Sequence, residues 1–125
     1  MKIKPVLIIC ALVVMVFGLG YIFIPAQMLS LIGYETDSIG LLILQFVGIL
    51  SMGYVASIWA VRDAGKEIQH PTILSAFVAM GFAFIVALIH QLSGTFGGLG
   101  WFGVLNFGLA FFVFGYFWIF KVHLN

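Results

Sequence analysis

His90 and Gln91 stand side by side in the stretch IHQLSG, at the end of a long apolar run. An imidazole there can accept or donate a hydrogen bond, or ligate the metal of a haem or chlorin. An amide beside it can both donate and accept. Three more polar side chains of this kind lie inside apolar runs: Gln45, Asn106 and Tyr21. Brought together, such groups can hold the carbonyls of a quinone or a lipid headgroup, or they can join helices by hydrogen bonds. Glu35 and Asp37 are the only charged residues between Lys4 and Arg62, so any pocket near them has an acidic rim.

The elements that must position these groups follow from composition. Apolar residues are 64 % and charged residues 7 % of a 125-residue chain. Soluble domains are nearer half and a quarter, and a chain this short cannot hide the excess from water. Four runs reach the roughly 20 residues that cross a bilayer: 6–24, 39–61, 72–92 and 101–120. Each is read as a helix, because a span must satisfy its own backbone. The first opens with MKIK, as a signal peptide does. Its apolar core is nevertheless longer than the roughly 7–15 residues usual there, and no A-x-A-like site follows, so it is read as a retained span.

Lys2, Lys4, Arg62, Lys66 and Lys121 all flank the spans on one side, which places both termini in the cytoplasm. Trp59, Tyr116 and Trp118 then fall at the inner interface and Trp101 at the outer one. His70 and His123 are expected as solvated residues at the inner edge. Between the first two spans, AQMLSLIGYETDS has the makings of a short interfacial helix, with Pro25 near its start and Gly33 just past its end. SGTFGGLG is a tight link between the last two.

Small residues mark contact faces between helices in lipid. On a helical wheel, Ser75, Ala76, Ala79, Ala83 and Ala87 form one stripe of the third span, with His90 in its middle and Gln91 beside it. Phe77 and Phe82 fall on the far side. Gly53, Ala56 and Ser57 share a face of the second span, with Gln45 at its edge. Asn106 shares a face of the fourth with Gly103 and Ala110. Gly108 and Gly115 lie opposite, as shallow notches on an outward face where a partner helix or lipid tail could dock. At about 1.5 Å per residue, Gln45 and Asn106 both lie five or six residues from the outer end, and His90 and Tyr21 are no deeper. The expectation is an outward-opening polar pocket of His90, Gln91, Gln45, Asn106 and Tyr21, roofed by Glu35 and Asp37.

Three readings of that pocket stay open: hydrogen-bonded glue between helices, a site for a quinone or lipid headgroup, and axial ligation of haem or chlorin by His90. Several classes are excluded. No Asp, Glu, Lys or Arg lies within a span, which leaves ion-coupled transport without its usual carrier. The single cysteine, Cys10, has no second thiol in the chain to pair with, which argues against a disulfide framework, a cysteine-ligated metal site or a thiol relay. A net charge of +1 gives no footing for nucleic acid. Gly97, Gly98 and Gly100 follow no strand and have no nearby Lys or Arg, so they form no phosphate cradle.

The segments FIPAQMLSLIG, QFVGILSMGYVASIWAVRDA and GWFGVLNFGLAFFVFGYFWI give the chain a layout that resembles small bacterial four-span membrane proteins of unknown function, DoxX-like ones among them. The resemblance implies a compact four-helix bundle, in some cases associated with larger membrane assemblies. It carries over no catalytic residue.

The sequence is thus read as all-α: one integral-membrane four-helix bundle over residues 1–125, with short loops, in a cytoplasmic (inner) membrane. The leading expectation is a non-catalytic accessory or scaffolding subunit, in contact with lipid and with other membrane subunits or further copies of itself. The alternative is a small binder of a quinone, lipid or pigment. No metal site and no obligate cofactor are expected.

Overall fold

The structure, a computed structural model, describes residues 2–122, and the side chains of residues 2–120. His123 lies outside the described residues. The helices are α1 (Ile3–Phe23), α2 (Pro25–Leu31), α3 (Ser38–Val61), α4 (Lys66–Leu92) and α5 (Gly100–Tyr116), followed by a π-helical segment, Phe117–Val122. There is no strand among the described residues. Four helices are long and apolar enough to cross a membrane: Ile3–Phe23, Ser38–Val61, Lys66–Leu92 and Gly100–Phe120. The chain divides into two compact units, Met1–Asp63 and Ala64–Asn125, each a helical hairpin.

Local chemistry sets the breaks. Pro25 has no N–H to continue α1, and the residue before it, Ile24, leaves the helical region at φ −135°, ψ 53°. Both α2 and α4 end on a glycine in the left-handed region, Gly33 at φ 73° and Gly94 at φ 77°. The bonding around them is the same. Gly33 N–H donates to Ser30 O and Tyr34 N–H to Leu29 O. Gly94 N–H donates to Gln91 O and Thr95 N–H to His90 O. Asp37 caps α3 by accepting from Gly40 N–H at 2.9 Å. The third span begins earlier than the expected residue 72. A polar leading turn from Lys66 joins it, and Pro71 sits inside the helix, where it forfeits one backbone bond without ending it.

In the first hairpin α1 and α3 run antiparallel. Gln45 reaches Ile22, Gly48 meets Gly18, and Lys4 pairs with Asp63. Contact at the centre is backbone to backbone: a methyl placed on Gly48 would lie 2.6 Å from the Gly18 carbonyl oxygen. Leu7, Ala11 and Ile58 are buried further along. Beyond α3, Arg62 lies over the Trp59 ring at 4.1 Å and its Nε is 3.4 Å from Asp63 Oδ2. The hydrogen bond from Lys4 holds the Asp63 carboxyl below its usual range, against desolvation and with smaller help from the charges of Lys4 and Arg62.

In the second hairpin a seven-residue spacing on α4 forms the seam. His70, Phe77, Phe84 and Gln91 meet Trp118, Gly115, Gly108 and Gly100 in turn. One reciprocal contact, Phe111 against Gly81, lies between them, and Phe77 stacks on Phe111 with ring centroids 4.8 Å apart. A strict repeat of seven keeps a seam aligned along a helix pair.

This corrects the expected faces. Gly108 and Gly115 are not outward notches. They are buried and filled by Phe84 and Phe77 from the same hairpin. Phe77 lies on the seam and not on the far side. Of the small-residue stripe on α4, Ala76 is buried, Ser75 and Ala79 are exposed, and Ala83 and Ala87 are half-buried. On α3, Gly53, Ala56 and Ser57 are exposed, because α1 packs along the Gly48–Ile58 line instead. Reading contact faces by small size alone missed a seam built from large side chains set into glycine hollows. His70 is not simply solvated either: it is half-buried and stacks on Trp118 at 4.2 Å between centroids, with the rings 12° from parallel.

Candidate functional site

The six candidate residues divide between the hairpins, and each group is described within its own. On the first, Gln45 sits half-buried on α3 and its Nε2 donates to Ile22 O at 2.9 Å. Ile22 lies in the last turn of α1, where carbonyls lose their intrahelical donors, so Gln45 acts as a cap supplied from the neighbouring helix. Tyr21 is at the same junction. Its Cβ lies against Gly48, and its ring is 6.4 Å from that of Phe17. Glu35 is apart from both, exposed in the loop after α2, where it lines an open depression of about 400 Å³ with Gln27, Ser30 and Thr36.

On the second hairpin the opening pair separates. Gln91 is 8 % exposed and faces α5. Its Nε2 donates to Gly97 O at 3.3 Å, and its Oε1 packs on the Cα of Gly100, where a methyl would come within 2.2 Å. His90 points elsewhere. It is exposed and its ring lies 5.8 Å from Phe96. Its carbonyl, by contrast, is engaged in closing the helix, by Thr95 N–H at 3.0 Å and by the Ser93 hydroxyl, also at 3.0 Å. Asn106, expected inward, is exposed, because the buried line of α5 runs through Gly100, Val104, Gly108 and Gly115. The two faces of α5 are opposed as the sequence indicated, but inside and outside are exchanged.

The structure thus brings Gln45 to Tyr21, and Gln91 to the α4–α5 turn. Within the second hairpin, His90 and Asn106 are left available. Among the described residues no three of His, Cys, Asp or Glu gather closely enough to hold a metal ion. Sequence reasoning overlooked Tyr54. Its hydroxyl is buried with no hydrogen-bond partner among the described residues. Counting every hydroxyl in the spans beside the amides would have raised it. The depression beside α2 was equally invisible, since it depends on how the loop folds back. Compared with known proteins, the chain matches no family model, no curated protein and no solved structure.

Proposed function

We propose that the protein is a non-catalytic accessory or scaffolding subunit of a larger membrane assembly, inserted as four spans in a cytoplasmic membrane with both termini inside. One observation carries this reading: within the first hairpin, α1 leaves Gly53, Ala56, Ser57 and Ala60 of α3 uncovered along one side, and no atom of that hairpin lies within 4 Å of where a Gly53 side chain would begin. Small residues spaced three and four apart let a second helix approach closely in lipid. The exposed Asn106 amide adds a hydrogen-bonding group that its own hairpin leaves on the surface of an apolar helix. The amides of Gln45 and Gln91 bind backbone carbonyls inside their hairpins, which supports structural roles for both. Mild detergent extraction followed by native mass analysis tests the reading. A partner polypeptide at fixed stoichiometry is expected, and Ala56→Phe should release it; a lone monomer overturns the proposal.

The exposure of His90 favours a second reading, a small binder of a quinone, lipid or pigment beside the α4–α5 turn. Replacing His90 with alanine should then deplete a co-purifying small molecule, and unchanged ligand content retires this alternative.

A further inference from the structure

The depression beside α2 has a chemical character of its own. Glu35 supplies its one charge, and Gln27, Ser30 and Thr36 supply further oxygens. The Ser30 hydroxyl donates its hydrogen to Gln27 O at 2.8 Å, so toward the depression its oxygen can only accept. Asp37, two residues from Glu35, is engaged as the cap of α3. No basic residue occurs between Lys4 and Arg62. Glu35 thus makes the site negative, and no basic residue in that stretch supplies a cation of its own. Leu29 and Leu41 give it an apolar side.

Its surroundings say where the complementary cation comes from. Phe23, Ile24 and Leu31, at the two ends of α2, are 76 %, 47 % and 59 % exposed. In the four-span insertion proposed above, a short helix flanked by such side chains and followed by two carboxylates would lie between acyl chains and headgroups, with the depression at headgroup level.

We propose that this depression binds the primary ammonium of an aminophospholipid headgroup, with Glu35 as counter-charge and the oxygens of Gln27, Ser30 and Thr36 accepting its N–H groups. The inference rests on the membrane insertion proposed above, though not on the subunit role. A primary ammonium offers three donors, which Glu35 and the oxygens of Gln27, Ser30 and Thr36 can accept. A choline headgroup offers none.

The test uses the full chain in vesicles of phosphatidylglycerol mixed with either phosphatidylethanolamine or phosphatidylcholine. Flotation first reports insertion; a chain that does not float overturns the membrane reading itself. For a chain that floats, native mass spectrometry should find the ethanolamine lipid retained about tenfold over the choline lipid, the scale of one charge-assisted hydrogen bond. Glu35→Gln should abolish that preference and Asp37→Asn should leave it. Equal retention of the two lipids, or equal loss in both variants, overturns the proposal. A molar excess of soluble ethanolamine should not displace the lipid, whose acyl chains add to its hold; displacement overturns the lipid assignment in favour of a free amine.

Discussion

Gly48 of the first hairpin and the seam glycines of the second face opposite kinds of neighbour. In the first, Gly48 faces the Gly18 carbonyl, so two helix backbones touch and neither can yield. In the second, Gly81, Gly108 and Gly115 each face an aromatic ring, and a methyl on any of them would come within 2.8–2.9 Å of a ring carbon. A ring can tilt or be replaced by something smaller, whereas a peptide carbonyl cannot. The same residue type therefore produces a rigid contact in one hairpin and an adjustable one in the other.

The largest effect should come from Gly48→Val. With backbone as the obstacle, the helices must separate, at about 3 kcal/mol or more, the upper end for overpacking. Titration with a denaturing detergent in mixed micelles, followed by tryptophan fluorescence, reads this out, and shortening Ile22 should not rescue it. Gly115→Ala should cost less, about 1–2 kcal/mol. Here a second change should compensate: Phe77→Leu in the Gly115→Ala background is expected to cost less than Phe77→Leu alone, giving a coupling of about 0.5 kcal/mol or more. Additive losses would mean that the ring and the hollow do not define the seam.

Smaller again are the amide caps. Gln45→Leu and Gln91→Leu each remove one hydrogen bond between neighbouring elements, worth about 0.6 kcal/mol on average within lipid. Gln91→Leu should be the less damaging of the two, since it also removes the buried Gln91 Oε1, which has no hydrogen-bond partner among the described residues. The smallest effect concerns Asp63. Its folded-state pKa lies below the unfolded one, so its contribution is present above the ordinary value of about 4 and disappears as pH falls through the lowered one. Acid titration of stability should therefore flatten below about pH 4 in Asp63→Asn relative to the native chain.

Much of this architecture can be read from residue order. Apolar length locates four helices, and the pairing of Pro25 with Gly33 marks the short helix between the first two, because proline and glycine act through their own backbone geometry. The lateral faces are another matter. Whether Asn106 or Gly108 turns toward α4 depends on what α4 offers, and Phe77 and Phe84 offer large rings that fit hollows and not polar groups. Size on a single wheel carries no information about its mate. The opening pair shows the same limit. Gln91 and His90 differ by 100° around the helix, and the Gly97 carbonyl that draws Gln91 inward is created by a turn the wheel does not contain.

The match of Phe77 to Gly115 and of Phe84 to Gly108 has an evolutionary corollary. Volume at one position of each pair is conditional on volume at the other, so drift at either should be tolerated only in compensating steps. As descendants of this chain diverge, bulk at 77 and 115 should trade places or shrink and grow together in inverse measure. Gly48, bound to a main-chain atom, has no such route and should stay fixed.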